Sequence, residues 1–239
     1  MSNRLGLIYP GLNAILGRSP IANLPTPVTT ARFDSLPRAR DIVVKRDDVT
    51  GRRYGGNKVR KLQYLLHRAR RRGANRIVTF GAVGSNHAVA TALYAIDAGL
   101  DCTCLLSHQS LRPGLGRALK VHQSIGTTVV ALSGDRARRD ETTRRHTRAA
   151  GTETIPIGGT SWLGTLGFVD AGLELAAQIE TGECPPVTRI YVAFGTMGTA
   201  VGIALGMALA GQQIETHAVR VTDEAYASET GARDRKSVV

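Results

Sequence analysis

A lysine follows two glycines in the segment GGNKVRKLQYLL, residues 55–66. A helix advances about 100° per residue, which places Lys58 on one stripe with four apolar residues. These are Leu62, Leu65, Leu66 and Ala69. We therefore expect Lys58 to face the buried side of the helix. Arg60 would lie on the opposite side and Lys61 at the edge, both directed toward water.

Burial favours the neutral form of an amine, so the pKa of Lys58 is expected to fall. A neutral lysine in an apolar pocket is a nucleophile and can form a Schiff base with an aldehyde. The alternative is a lysine in the first turn of a helix whose ammonium group extends to solvent. Lysine is scarce in this arginine-rich chain, and this mildly favours a chemical role for Lys58.

Three glycine-rich segments stand between a predicted strand and a predicted helix: GAVGSNH at 81–87, GGTSWLG at 158–164 and GTMGT at 195–199. In the last of these, backbone N–H groups at a helix N-terminus and the hydroxyls of Thr196 and Thr199 predict an anion site, with phosphate as the expected anion. Its GxxGxxxG spacing differs from the GxGxxG dinucleotide motif, and no P-loop lysine follows. The alternative is an ordinary tight turn between a strand and a helix.

Ser85, Asn86 and His87 come together at the predicted start of another helix. Ser and Asn are common N-cap residues, and a histidine that opens an apolar helix can serve packing alone. A molecule with a phosphate, an aldehyde for Lys58 and ring substituents for Asn86 would use all of these features. Pyridoxal phosphate is such a molecule, and it stabilises carbanions as an electron sink. We therefore predict pyridoxal 5'-phosphate as the cofactor.

Apolar strand-like runs alternate with helical segments from residue 76 onward. The predicted strands are 76–80, 102–106, 127–132, 152–157, 189–194 and 216–221, with an earlier one at 41–48. The predicted helices are 87–100, 115–126, 135–150, 166–180 and 199–211. This alternation predicts an α/β fold whose parallel sheet carries helices on both faces. Ligands of such folds bind beyond the carboxyl ends of the strands, which is where the glycine-rich segments stand.

The composition is that of a globular protein, with 239 residues of which 42% are apolar and 21% charged. No apolar run approaches the roughly 18 residues of a membrane span, so no membrane partner is expected. The N-terminus lacks the apolar stretch of a signal peptide. Cys102, Cys104 and Cys184 form no disulfide framework, and no second ligand pair near them predicts a metal site. We expect a cytoplasmic protein.

The net charge of +12 raises the question of nucleic-acid binding. The basic runs are RARRR at 68–72 and RARRDETTRRHTR at 136–148. The first would lie in the last turn of a helix, where cations suit the helix dipole. The second is mixed with acidic residues and is typical of a solvated helix face. Neither run carries interleaved aromatic residues for base stacking, so we expect no nucleic-acid partner.

Four segments together resemble a known family: VKRDDVTGRRYGGNKVRKLQYLL, FGAVGSNHAVATA, IPIGGTSWLGTLGFVDAGLEL and GTMGTAVG. They are similar to pyridoxal-phosphate enzymes of the tryptophan-synthase-β fold type. Within that group they resemble the 1-aminocyclopropane-1-carboxylate deaminase and D-cysteine desulfhydrase family. The resemblance runs from residue 20 to residue 225, with the motifs in the family's order, and GGNKxRKLxYL and SNH are its most specific parts.

The resemblance implies a role for each candidate residue. Lys58 would be the Schiff-base lysine and proton carrier, and Asn86 would hydrogen-bond the phenolic oxygen of the cofactor. Ser85 and His87 would contact the substrate carboxylate, and Ser85 would also help proton transfer. The phosphate would be cradled by Gly195, Thr196, Met197, Gly198 and Thr199. The substrate side would be lined by Gly158, Gly159 and Thr160.

The fold implied by the resemblance has two open, twisted, mainly parallel sheets with flanking helices. A smaller domain, 62–157, would be inserted into a larger cofactor-binding domain, 1–61 and 158–239, and the cleft between them would hold the cofactor. We expect a homodimer for the full-length form of the protein, and the family it resembles continues beyond residue 225. We therefore expect the C-terminal part of the larger domain to be missing. The segment from Asp234 is interpreted as the non-native tail of a truncated reading frame, which puts the activity of this chain in question.

The chain also departs from the deaminases of that family. Gly84 and His87 stand where the deaminases carry glutamine, and Trp162 stands where proline is frequent. These differences favour α,β-elimination from a small amino acid, with release of ammonia and a 2-oxo acid, as in a D-cysteine desulfhydrase. The alternatives are a 1-aminocyclopropane-1-carboxylate deaminase, a racemase with the same cofactor, or a non-catalytic αβ fragment that binds a nucleotide or a nucleic acid.

Overall fold

The computed structural model describes residues 4–13, 16–32, 42–111, 113–223, 227–228 and 230. Its helices are α1 (Arg4–Ile8), α2 (Pro10–Asn13), α3 (Lys58–Arg71), α4 (Asn86–Asp97), α5 (Leu115–Ser124), α6 (Arg136–Thr147), α7 (Trp162–Glu180) and α8 (Gly198–Leu209). Its strands are β1 (Val28–Ala31), β2 (Ile42–Lys45), β3 (Arg76–Ala82), β4 (Asp101–Ser107), β5 (Thr128–Ala131), β6 (Thr152–Ile155), β7 (Arg189–Phe194) and β8 (Glu215–Arg220). Short 3₁₀ turns occupy Asp47–Val49 and Ile157–Gly159. The tail predicted from Asp234 lies outside the described residues.

Four parallel strands form the largest sheet, in the order β5-β4-β3-β6. The two inner strands are buried on both faces, because Ile77 and Val78 of β3 and Cys104 and Leu105 of β4 are all almost fully enclosed. Strands β7 and β8 form a second parallel pair. The predicted alternation of strands and helices and the predicted α/β class with parallel sheets are therefore confirmed.

A third, antiparallel pair joins β1 to β2, with Val28 opposite Lys45. Strand β2 falls inside the predicted strand 41–48, whose residue 41 lies outside the described part. Residues 47 and 48 belong to a 3₁₀ turn instead. The sequence predicted no strand at β1. That strand has only four residues, and the prolines at 25 and 27 just before it are typical of a loop.

Side-chain caps set the start of three of the longer helices. Ser85 caps α4 by accepting a hydrogen bond from Ala88 N, and Asp135 caps α6 in the same way. Ser161 caps α7 by accepting from Gly164 N at 3.1 Å, so that helix begins at Trp162, one turn earlier than the predicted 166. Among the described residues, no helix has the length and apolar character needed to cross a bilayer.

Helices α3, α7 and α8 approach one another closely through glycines of the two later helices. A Cβ atom added to Gly167 would lie 2.2 Å from the Arg60 carbonyl oxygen, and one added to Gly206 would lie 2.3 Å from the Val169 carbonyl oxygen. A side chain at either position would therefore push the helices apart. This close packing matters for the site because the glycine-rich loops lead directly into α7 and α8, and Lys58 is the first residue of α3.

The prediction that Arg60 and Lys61 face water is wrong. Both side chains are buried, with exposed fractions of 0% and 1%. The Arg60 guanidinium forms ion pairs with Asp47 at 2.8 Å and with Glu174 at 2.9 Å, whereas the Lys61 ammonium donates to Thr160 Oγ1 at 2.8 Å. Residues 59–66 of this helix are all buried, whereas Arg70 and Arg71 at its end are exposed. Buried cations persist where partners compensate them.

Candidate active site

The site assembles where the three glycine-containing loops meet the start of α3. Asn57 Oδ1 accepts a hydrogen bond from Lys58 Nζ at 2.8 Å, and Asn57 Nδ2 donates to Thr199 Oγ1 at 3.4 Å. The hydroxyls of Thr160 and Thr196 lie 2.7 Å apart. Lys61 also donates to Thr160, and Gly159 lies against the His87 ring at the start of α4. These contacts together bring four separate stretches of the chain to one place: 57–61, 158–160, 195–199 and the start of α4.

Lys58 is half-buried at the N-terminal end of α3, whereas Leu62, Leu65, Leu66 and Ala69 of its predicted stripe are completely enclosed. Its ammonium group therefore lies at the rim of the core rather than inside it. Burial lowers the pKa of Lys58 below the ordinary lysine value. The neutral amine required of a nucleophile is thus more accessible here than at an exposed lysine.

The loop 195–199 is shaped for close backbone approach. Met197 has a φ of 67°, a left-handed conformation that is rare for a residue with a side chain, and its side chain does not cap α8. A Cβ atom on Gly198 would lie 2.8 Å from Thr160 Cγ2 and 3.1 Å from Lys61 Nζ. Only glycine leaves these groups room, so the N-terminus of α8 lies directly beside a cation.

Lys61 lies in this site, although its sequence position predicted an exposed side chain. Its ammonium group lies under the 195–199 loop, hydrogen-bonded to Thr160 and 5.8 Å from the centre of the Phe168 ring. A cation beside a helix N-terminus and two threonine hydroxyls is a favourable environment for a phosphate. The spacing K-x-x-K could have indicated it, because residues three apart lie on adjacent turns of one helix face.

The loop at 158–160 packs against the loop at 195–199. Gly158 and Gly159 both have a φ of 65°, and a Cβ atom on Gly158 would lie 2.4 Å from Thr196 Oγ1. Thr160 is buried, with its hydroxyl between Lys61 and Thr196. The predicted substrate-lining role of this loop stays a prediction, but the Thr160 hydroxyl itself faces the candidate phosphate site.

Asn86 is exposed at the first position of α4, and its Oδ1 accepts a hydrogen bond from the Tyr54 hydroxyl at 2.8 Å. Tyr54 lies only four residues before Lys58, so this contact joins Asn86 to the lysine-bearing segment. Ser85 is half-buried beside it, and its hydroxyl is engaged in capping Ala88 N at 3.2 Å.

The His87 ring points into the core, away from solvent. Its Nε2 lies 3.0 Å from Thr79 Oγ1 and its Nδ1 lies 3.5 Å from Thr91 Oγ1, and the side chain is 4% exposed. Burial, together with the nearby charges of Lys58 and Lys61, lowers the pKa of His87 to about 3, so the ring is neutral. The enclosed ring leaves the backbone N–H as the group of His87 that could make the predicted contact with a substrate carboxylate.

These residues fit pyridoxal phosphate by the chemistry of their groups. Lys58 provides an amine whose protonated form is disfavoured by burial. One cation and two hydroxyls lie beside the N-terminus of α8, and they belong to Lys61, Thr160 and Thr196. Asn86 adds an amide at the start of α4, linked through Tyr54 to the segment that carries Lys58.

Comparison with known proteins supports pyridoxal phosphate as the cofactor. The family model for pyridoxal-phosphate dependent enzymes matches residues 21–239. The D-cysteine desulfhydrase of Salmonella paratyphi A is 35% identical over 207 residues, covering 83% of this chain and 60% of the relative. The D-cysteine desulfhydrase of Klebsiella pneumoniae subsp. pneumoniae is 34% identical over 223 residues, covering 86% of this chain and 64% of the relative.

Among solved structures, the crystal structure of an ACC deaminase homologue superimposes with a TM-score of 0.78 and 30% sequence identity. The superposition covers 99% of this chain and 71% of that one. The chain thus spans about 60–64% of the length of the two desulfhydrases. With the family model covering nearly the whole sequence, the chain belongs to the pyridoxal-phosphate dependent enzymes.

Proposed function

We propose that the protein is a lyase that acts on a small amino acid by α,β-elimination, with D-cysteine as the substrate and pyridoxal phosphate as the cofactor. The observation that carries this proposal is the half-buried Lys58 amine, which Asn57 connects to the 195–199 loop. The substrate is taken from the two desulfhydrase relatives. Because the chain spans less than two thirds of those relatives, the proposed activity is that of the whole protein.

Pyridoxal phosphate, when bound, supplies an electron sink for the carbanion that forms when a proton leaves the amino acid. Lys58 would hold the cofactor covalently and, once displaced by the substrate amine, would carry the proton at its Nζ. Ser85 would assist that transfer from its place beside Asn86. Elimination from cysteine then consumes one water and releases sulfide, ammonia and pyruvate, which balances all atoms.

A desulfhydrase assay tests this activity. The purified protein, loaded with pyridoxal phosphate, is incubated separately with D-cysteine, L-cysteine and 1-aminocyclopropane-1-carboxylate. The proposal predicts sulfide and pyruvate in equal amounts from D-cysteine. Release of 2-oxobutyrate and ammonia from the cyclopropane substrate, without sulfide from cysteine, would favour the deaminase alternative, which the 30% identical ACC deaminase homologue keeps open.

Lys61 is proposed as the cation that holds the cofactor phosphate. We expect Lys61→Met to weaken the binding of pyridoxal phosphate by about 10- to 100-fold, the range for loss of a charge-assisted hydrogen bond. Binding of pyridoxal, which lacks the phosphate, should change little. Equilibrium titration with both compounds measures the difference.

The control is Lys120→Met, which removes an exposed lysine and should leave both affinities unchanged. Equal weakening of pyridoxal and pyridoxal phosphate by Lys61→Met would contradict the phosphate role. It would instead indicate that the buried lysine serves the packing of α3.

The inserted domain 62–157, the homodimer and the cytoplasmic location stay predictions from the sequence. The residue roles given there for Asn86, Gly158, Gly159 and the 195–199 loop form part of this proposal.

A further inference from the structure

Among the described contacts, a single hydrogen bond joins the exposed Asn86 amide to the segment that leads into Lys58. Its donor is Tyr54. Its hydroxyl donates to Asn86 Oδ1 at 2.8 Å. We propose that Tyr54 is a positioning residue that fixes the rotation of the Asn86 amide, so that the Asn86 NH₂ group is the one presented to the cofactor ring. The inference rests on the proposed function, because it takes pyridoxal phosphate as the ligand.

The backbone of Tyr54 is itself fixed to the helix that carries Asn86. Tyr54 N donates to the Tyr94 hydroxyl at 3.2 Å, and the same hydroxyl donates to the Tyr54 carbonyl at 2.7 Å. Arg53 forms an ion pair with Asp97, also on α4. A Cβ atom on Gly51 would lie 1.9 Å from the Tyr94 hydroxyl, so glycine is needed there for this approach. Residues 51–54 are thus held against α4 independently of the Tyr54 ring.

The hydrogen bond from Tyr54 decides which end of the Asn86 amide faces the cofactor. An asparagine side chain has an acceptor oxygen and a donor NH₂ group, and rotation by half a turn exchanges them. Burial raises the pKa of the Tyr54 phenol, although Arg117 opposes the shift, so the hydroxyl keeps its proton and donates it. With its oxygen engaged by Tyr54, Asn86 offers its NH₂ group to other partners. A phenolic oxygen of the cofactor, which accepts hydrogen bonds, is the matching group.

The test compares four proteins: the full chain, Tyr54→Phe, Asn86→Ala and the double variant. Tyr54→Phe keeps the ring and both backbone contacts to Tyr94, and circular dichroism verifies that each variant is folded. We expect Tyr54→Phe to weaken pyridoxal phosphate binding by about three- to tenfold, the range for one hydrogen bond. Because Tyr54 is proposed to act through Asn86, the double variant should bind no more weakly than Asn86→Ala alone.

A spectroscopic measurement separates positioning from loss of structure. A hydrogen-bond donor stabilises the ionised phenolic oxygen of the cofactor. The pH midpoint of the visible band of the bound cofactor should therefore move in Asn86→Ala. Tyr54→Phe should move that midpoint in the same direction and by a smaller amount. The control Tyr191→Phe removes a hydroxyl from an exposed tyrosine on β7 and should leave both affinity and midpoint unchanged.

Three results would each overturn the inference. Unchanged affinity and midpoint in Tyr54→Phe would show that the contact has no effect on the cofactor. An equal effect of Tyr54→Phe in the presence and absence of the Asn86 amide would show that Tyr54 acts by another route. If the folded, unmodified chain binds no pyridoxal phosphate at all, the proposed function fails first, which is a different result from normal binding with an inert Tyr54.

Discussion

Lys58→Ala is expected to abolish covalent capture of pyridoxal phosphate and to reduce any lyase activity of the protein by roughly a thousandfold or more, the scale seen when a catalytic nucleophile is removed. The reason is that the Lys58 amine is half-buried with a lowered pKa and is connected through Asn57 to the candidate phosphate loop. Capture is measured by borohydride reduction followed by mass spectrometry of the intact chain.

Lys58→Arg and Lys120→Ala are the matched controls. Arginine keeps the positive charge but is not deprotonated in proteins, so it should behave as the alanine variant does. Lys120 is exposed on α5, and its replacement should leave capture intact. Retention of full capture in Lys58→Ala would contradict the assignment of Lys58.

Capture by Lys58 should also depend on pH in a defined direction. Only the neutral amine adds to an aldehyde, and burial lowers the pKa of Lys58 in the folded chain. The rate of capture should therefore rise with pH and reach its midpoint below about 10.4, the value of an exposed lysine. A midpoint at or above that value would show that burial does not lower the pKa of Lys58.

Arg60→Ala is expected to lower the free energy of unfolding by about 3–5 kcal/mol, the cost of removing one partner of a buried ion pair. The Arg60 side chain is completely enclosed and contacts Asp47, Glu174 and the Thr26 hydroxyl. Within the described part of the chain, its removal leaves the buried Glu174 carboxylate with Lys45 as its remaining cation. Urea unfolding followed by circular dichroism measures the loss.

Arg136→Ala is the control for this experiment. Arg136 is 88% exposed and lies 3.8 Å from Asp140, so its loss should change stability by less than about 0.5 kcal/mol. A loss below about 1 kcal/mol for Arg60→Ala would contradict this prediction, because it would mean that the Glu174 and Asp47 carboxylates are compensated without Arg60.

The ion pairs of Arg60 with Asp47 and Glu174 also help to hold the backbone next to Lys58. The Asp47 carbonyl oxygen accepts from Gly56 N at 2.7 Å, and the Asp47 carboxylate holds Arg60 on the first turn of α3. Gly56, two residues before Lys58, is therefore anchored on the same residue as the helix that follows it. Destabilisation by Arg60→Ala should appear together with weaker capture at Lys58.

The elements of the fold were predictable because their signals are local. The strand–helix alternation and the glycine-rich loops stand in the sequence, and the structure places those loops at the ends of β3, β6 and β7. The prediction failed where the deciding partner is remote. Arg60 is buried because it contacts Glu174, which lies 114 residues away in the sequence. Lys61 is buried because it contacts Thr160, which lies 99 residues away. No periodicity within residues 58–71 contains that information.

In the candidate site too, residues within local motifs were predicted and contacts between distant segments were not. Lys58, Asn86 and Thr199 were singled out from their local motifs, and the structure places each near a partner in the site. The Tyr54–Asn86 contact joins residues 32 positions apart and has no local pattern. The enclosed ring of His87 depends on Thr79 in the strand that precedes it. Packing against distant segments, rather than residue type, decides the orientation of these side chains.

The most direct test of the account is to identify the lysine that pyridoxal phosphate modifies. The folded chain is mixed with pyridoxal phosphate, reduced with borohydride and digested, and the modified peptide is sequenced by mass spectrometry. We predict a single modified residue, Lys58, in a peptide from the start of α3. Modification of Lys61 in its place, labelling spread over several lysines, or no modification of a chain shown to be folded would contradict the account.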